Sequence, residues 1–319
     1  MANESVGHTV ETIVVGLSYT VTAFAVLSVY VPCLAVLLTD KDLKAHSCMK
    51  MMRHLGYSDL INLAMHLAVG LLILFNPRQQ IPYWINKLYF GSVSPYAWHT
   101  YLILCLAIAI NRFLLFVKPE WEQCLFDKNR AYVWIALAWL NGFSIHLLQM
   151  TPKLSYIYHP SSYNVYMDFT TEWALPYHRI GWWEGTSVML STLGFYAGLV
   201  IWMKYNHPKK PITKVKQQSY SREKLILKQA SAICIYCVFL SQFWSALDVL
   251  PPITYAFQLA NWLWILNSAI TPLVYLTLNR TISKKVKALV CRHKNTVKPI
   301  GQPGTNQKKA YNSVRTAHK

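Results

Sequence analysis

The chain has 319 residues, 54% of them hydrophobic and 14% charged, with a formal net charge of +18 at pH 7. So little charge, with a mean hydropathy of +0.23, excludes an ordinary soluble domain of this length. The apolar residues fall in long blocks, each near the roughly 20 that an α-helix needs to cross about 30 Å of hydrocarbon, which reads as a polytopic membrane protein.

Seven blocks follow in chain order. The first, residues 13–38, is uncharged. Before it stand Glu4 and Glu11 with no lysine or arginine, the opposite of a signal peptide's basic start, so it reads as a retained first helix. The second, "LGYSDLINLAMHLAVGLLILF" at 55–75, holds Asp59, with Asn62 and His66 on the next turns. The third, 92–116, is interrupted by Asn111 and Arg112; the fourth and fifth cover 131–150 and 185–203. The sixth, "QASAICIYCVFLSQFWSALDVL", covers 229–250, and the seventh, 255–278, contains Pro272, which breaks a helical hydrogen-bond ladder. Continuous apolarity favours helices, because the strands of a membrane barrel alternate over about ten residues. The expected fold is an all-α membrane protein, a seven-transmembrane helix bundle over 13–279 behind a short N-terminal segment, 1–12.

After the seventh block, "RTISKKVKALVC" places Ile282, Val286, Leu289 and Val290 at helical spacing against Lys284, Lys285 and Lys287. That pattern predicts a short amphipathic helix over 280–291 lying along the membrane surface, with Cys291 at its end as a lipidation candidate. The tail, 292–319, has little apolar content and reads as disordered and basic.

Charge sets the expected orientation. If the N-terminus faces outward, 27 of the 31 basic residues fall on the inner side and only Arg78, Lys87, Lys153 and Arg179 lie outside. The positive-inside rule then places the N-terminus out and the C-terminus in, at a plasma membrane whose inner leaflet is anionic. Because the basic residues flank hydrophobic spans, the high charge is no sign of a nucleic-acid partner. Asn3 begins an outward-facing glycosylation sequon, Asn3-Glu4-Ser5.

None of the seven cysteines falls in an expected outer loop, so no extracellular disulfide framework is available. Cys234 and Cys237 have CxxC spacing inside an apolar helix without further ligands, which reads as packing, neither redox nor metal. No HExxH, GxSxG or phosphate-cradling glycine loop is present, and neither an enzyme nor a cofactor is implied.

Ionisable residues inside a span are costly and mark functional positions. Asp59 lies about 9 Å along the helix from Arg53 and should face the bundle against a polar partner. Asp248, beside Pro251 and Pro252, reads as an ordinary interfacial carboxylate. Arg112 alone would be a snorkelling side chain. Its company is more specific: a lone aspartate on the second span, and "TPLVY" with Pro272 and Tyr275 on the seventh.

With "NRF" ending the third span, that combination resembles the G-protein-coupled receptors. The finer pattern is similar to the nematode chemosensory serpentine receptors of class T. It is carried by "VYVPCLAVLL", "CMKMMRHLGYSDLINL", "INRFLLFVKPEWEQCLFDKNRAYVWIALAWL", "TPKLSYIYHPSSYNVYMDF", "KQASAICIYC" and "TPLVYLTLNRTISKKV", in that order over residues 13–290. The resemblance implies a receptor of sensory neurons, its cilia included, that senses an external small chemical and signals to a heterotrimeric G protein.

It further implies that Arg112 engages the G protein, with Asn111 where the larger rhodopsin-like group has an acid. Asp59 matches the second-helix aspartate that often coordinates sodium with water, and Thr271, Pro272 and Tyr275 match the seventh-helix switch. Glu223, just before the sixth span, is a substitute for the missing acid. No third-helix cysteine ties down the long outer segment after span four, and Trp244 is the aromatic toggle available on a sixth span that lacks a proline. The ligand pocket is expected in the outer half of the bundle, where His99, Tyr101, Trp244 and Trp262 are available together with Trp182, Trp183 and Trp264. Boundary aromatics also form an ordinary belt. Two rivals are opposed by the sequence: a seven-span ligand-gated channel with an inward N-terminus conflicts with the charge split, and a transporter would show an internal repeat.

Overall fold

The computed structural model describes residues 10–40, 46–76, 81–127, 129–206, 231, 233–247 and 255–295. Asn3, Glu223, Asp248 and the tail beyond 295 lie outside them. In chain order the helices are α1 (Val10–Thr39), α2 (Ser47–Phe75), α3 (Tyr83–Val117), α4 (Pro119–Phe126), α5 (Arg130–Met150), α6 (Ala174–Tyr205), α7 (Ile233–Leu247), α8 (Ala256–Leu278) and α9 (Arg280–Asn295). Among the described residues, α1, α2, α3, α5, α6 and α8 are the six long and apolar enough to cross a membrane, while α7 is a shorter apolar helix. The expected ends of the sixth block, 229 and 250, fall outside the described residues.

The helices bury one side and leave the other apolar and uncovered, as a lipid-facing surface requires. On α5, Val133, Leu137, Leu140 and Leu147 share an exposed face, while Ala131, Ile135, Ala138 and Gly142 turn inward. Gly142 is needed there: a Cβ would come within 2.2 Å of Thr100 Oγ1 and 2.5 Å of the Tyr96 carbonyl oxygen. Small residues let membrane helices approach this closely. Between α1 and α2 the core is larger, built from Tyr19, Tyr30, Leu63 and Ile73, all essentially inaccessible.

One β-hairpin departs from the all-helical expectation. β1 (Tyr156–His159) pairs antiparallel with β2 (Asn164–Met167), in a register that sets Tyr156 opposite Met167 and His159 opposite Asn164. A 3-10 turn, Pro160–Ser162, and Tyr163 at φ 52° close it. Single residues visit this left-handed region uncommonly.

Two features of α3 hold the hairpin. The helix starts at Tyr83, two turns before the expected 92, and runs as a π-helix over Asn86–Gly91. Such widened turns are frequent at functional positions. From this segment Asn86 behaves as a third strand: its Nδ2 donates to the Tyr158 carbonyl at 3.1 Å, and the Tyr158 N–H donates to its Oδ1 at 2.6 Å. At Gly91 a Cβ would lie 1.7 Å from the Tyr156 carbonyl oxygen, so only glycine admits the strand. Elsewhere the hairpin reaches α1 through Thr12 and Tyr163, 3.2 Å apart, and α8 through Asn164 Nδ2, which donates to the Phe257 carbonyl at 3.1 Å.

At the opposite end α9 follows α8 directly. Ile282 and Val286 are buried in the same core as α1 and α2, Leu289 and Val290 stay exposed, and Lys285 pairs with Asp40 after α1. The helix thus extends past the expected 291, with Cys291 exposed on it.

Candidate functional site

Two cavities occupy opposite ends of the bundle. The larger, about 170 Å³, lies under the hairpin, whose Tyr156 and Asn164 to Met167 form one wall. Its other walls come from α2 (Met65, His66), α3 (Ser94, Pro95, Trp98, His99), α6 (Tyr177, Trp182), α7 (Ser241, Trp244, Ser245) and α8 (Asn261, Trp264).

The aromatic walls are continuous. Trp98 lies 4.7 Å from Trp264, Trp264 lies 5.7 Å from Trp244, and Trp244 lies 6.4 Å from Phe257 (ring centroids). Phe257 stacks on Tyr166 of β2 at 5.2 Å, and Tyr166 on His159 of β1 at 3.8 Å. These are tilted, edge-on and stacked geometries that ring quadrupoles favour.

Polar groups around the cavity fall into two sets. His99 is internally engaged: Nε2 lies 3.1 Å from the Tyr177 hydroxyl and Nδ1 lies 3.2 Å from Glu184 Oε2, while Asn141 Nδ2 donates to Glu184 Oε1 at 3.2 Å. His66 and Asn261, both 3% exposed, differ. Both ring nitrogens of His66, Asn261 Nδ2 and Trp244 Nε1 are buried with no hydrogen-bond partner among the described residues. A buried polar group left unpaired costs about 1–3 kcal/mol, so such groups mark places where something else binds.

Of the residues expected to meet ligand, His99, Trp182, Trp244 and Trp264 line this cavity, while Trp183 is exposed. Tyr101 and Trp262 are not among its lining residues. Tyr101 is fully buried one helical turn deeper, its hydroxyl 3.7 Å from Cys237 Sγ and its ring stacked on Trp98 at 5.7 Å. Trp262 is partly exposed and donates to Thr22 Oγ1 on α1 at 3.2 Å. Sequence reasoning passed over Asn261 and named His66 only as a neighbour of Asp59. The spacing of seven residues between Asp59 and His66, two turns on one face of α2, was the available signal.

The second cavity, about 110 Å³, is at the α9 end. Arg112 and Ile108 of α3, Tyr196 and Met203 of α6, Cys234 of α7, and Thr271 and Tyr275 of α8 contribute to it. Tyr101 lines it too, so the Trp98–Tyr101 stack spans the partition between the two cavities.

Between them lies a polar knot. Asp59, 1% exposed, accepts from the Tyr30 hydroxyl at 2.6 Å and is also hydrogen-bonded by Ser268 and Thr271. Asn62, one turn on, accepts from Ser94 Oγ at 3.3 Å. Asp59 therefore ties α1, α2 and α8 together. Pro272 and Tyr275 are buried beside it, and the Tyr275 hydroxyl has no hydrogen-bond partner among the described residues.

Asn111 is 2% exposed, and its Nδ2 donates to Glu122 Oε1 at 2.8 Å. Glu122 stands on α4, the short helix linking α3 to α5. The acid that holds the end of α3 thus comes from the connecting helix, a pairing not foreseen from sequence.

A multi-helix bundle with apolar outer flanks, a cavity roofed by a hairpin at one end and an arginine-lined cavity at the other is the architecture of a multi-pass membrane protein. The model of the serpentine type 7TM GPCR chemoreceptor Srt family matches residues 2–299, and the chain belongs to that family. No curated protein matches it.

Proposed function

We propose that this chain is a chemosensory receptor of the plasma membrane, in sensory-cell cilia, N-terminus outside, that binds an external small molecule under the hairpin and signals inward to a heterotrimeric G protein. Its single strongest support within a 7TM GPCR chemoreceptor family is the pair of cavities at opposite ends of the bundle, joined through the Trp98–Tyr101 stack. A ligand that fits one arrangement of these helices better than another shifts the population toward it. Movement of Trp98 is transmitted to Tyr101, and from Tyr101 to the wall that carries Arg112.

In this reading Arg112 meets the G protein. Glu122 restrains the resting state through Asn111. Asp59, Thr271, Pro272 and Tyr275 form the hinge region around which α8 repacks. Asp59 already has three side-chain partners, so its first role is to tie helices together.

Two experiments test the proposal. Epitope tags at the two ends, probed by antibody in intact and permeabilised cells, should show an accessible N-terminus and a hidden C-terminus; the reverse overturns the orientation. Arg112→Ala at matched surface expression should abolish the ligand-evoked G-protein response, and an unchanged response overturns its role.

A further inference from the structure

We propose that the cavity under the hairpin takes an uncharged molecule about the size of one ring, carrying hydrogen-bond acceptors, and rejects ammonium and carboxylate compounds. This deepens the receptor reading and rests on it for taking the cavity as the ligand site.

Size sets the first limit. A cavity of about 150 Å³ accommodates benzene in another protein, and this one is about 170 Å³. One ring with a short substituent fills it.

Charge sets the second. Among the described lining residues there is no Asp, Glu, Lys or Arg. Glu184, which contacts the lining residue His99 from outside the cavity lining, is already held by His99 and Asn141. A carboxylate entering here would lose its hydration with no Lys or Arg to pair with, only the rings of His66, His99 and His178, and an ammonium would exchange its hydration for tryptophan faces alone; both exchanges are unfavourable.

The unpaired atoms set the third. Trp244 Nε1 and Asn261 Nδ2 can only donate, and an uncharged His66 imidazole offers one donor and one acceptor. The orphaned set is therefore richer in donors than acceptors, and a carbonyl, ether or ring-nitrogen acceptor satisfies it. Trp98, Trp264 and Trp244 supply flat apolar faces for the ring itself.

The test uses full-length receptor in lipid nanodiscs at pH 7.4 and reads ligand-induced thermal stabilisation, which reports occupancy without any G protein. Four probes share one ring: acetophenone, ethylbenzene, benzoate and benzylamine. Acetophenone should bind roughly three- to tenfold more tightly than ethylbenzene, the worth of about one net hydrogen bond, and the two ions should give no shift. Trp244→Phe with Asn261→Leu should erase the advantage of acetophenone over ethylbenzene when both are measured on that same variant. If benzoate or benzylamine binds as well as acetophenone, or if none of the four binds, the proposal is overturned; this ranking is decided on the unaltered protein even if the double variant does not fold. A compound that stabilises the protein but evokes no second-messenger response in cells would sink the receptor reading and leave this one standing.

Discussion

Asn111 donates its side-chain amide to Glu122 across 2.8 Å, so the end of the third helix is fastened to the short helix that follows it. The contact lies next in sequence to Arg112 and reaches across a single turn of chain at Lys118. Whatever position Arg112 takes is set in part by this pair.

Loosening that fastening should raise signalling in the absence of ligand. Glu122→Ala removes the acceptor. Asn111→Asp sets two carboxylates against each other at the same distance and should act alike. Combining Asn111→Asp with Glu122→Gln restores a donor and an acceptor with their roles exchanged, and basal second-messenger output should return toward the original level. Basal output equal in all four proteins would show that the contact restrains nothing.

Gly91→Ala should dislodge the hairpin, because no movement of a flexible side chain relieves a Cβ 1.7 Å from a backbone oxygen. Asn86→Ala removes two hydrogen bonds to Tyr158 without a clash and should act more weakly. Limited proteolysis between residues 151 and 173 provides the measurement: cleavage should be fastest in Gly91→Ala, intermediate in Asn86→Ala and slowest in the unaltered protein.

Tyr30→Phe keeps the ring that fills the space between α1 and α2 and deletes only the hydroxyl that reaches Asp59. A buried acceptor deprived of one partner costs about 1–3 kcal/mol. The melting temperature in nanodiscs should fall, while Tyr57→Phe, on the same helix pair but without that contact, should leave it nearly unchanged.

Acid should loosen the hairpin through His159. Burial lowers its pKa below the ordinary 6.5, an effect opposed in part by Asp168. The released hairpin therefore binds more protons than the docked one in the window below 6.5, so docking strengthens as pH rises through that window and weakens as it falls. The protection factors of the hairpin amides, with the intrinsic pH dependence of exchange divided out, should fall from pH 7 to pH 5.5. In His159→Phe, which keeps a ring to stack on Tyr166, that dependence should shrink.

The helices were legible in the sequence because hydrocarbon allows few alternatives for a long apolar segment. The blocks at 131–150 and 255–278 appear as Arg130–Met150 and Ala256–Leu278. The third helix was misjudged at its start, since "YWINKLYFG" is polar enough to pass for loop and becomes helical through its contact with the hairpin. Within "TPKLSYIYHPSSYNVYMDF" the alternation around Pro160 could have been read as two strands, but strand pairing over an apolar bundle is decided by tertiary partners such as Asn86. Asp59 was found because a charge stands out in an apolar run. Asn261 and Glu122 were not, because their importance comes from what folding sets beside them, an empty space for one and Asn111 for the other.

The hairpin's fastening also bears on how the protein can be made. Asn86, Asn164 and Gly91 secure the roof by side-chain amide hydrogen bonds and close fit, and the segment between Cys124 and Cys234 contains no thiol at all. Assembly of this roof needs no oxidising compartment and no isomerase to sort thiols. Cell-free translation in ordinary reducing extract, directly into nanodiscs, should therefore yield receptor with its binding cavity already closed over.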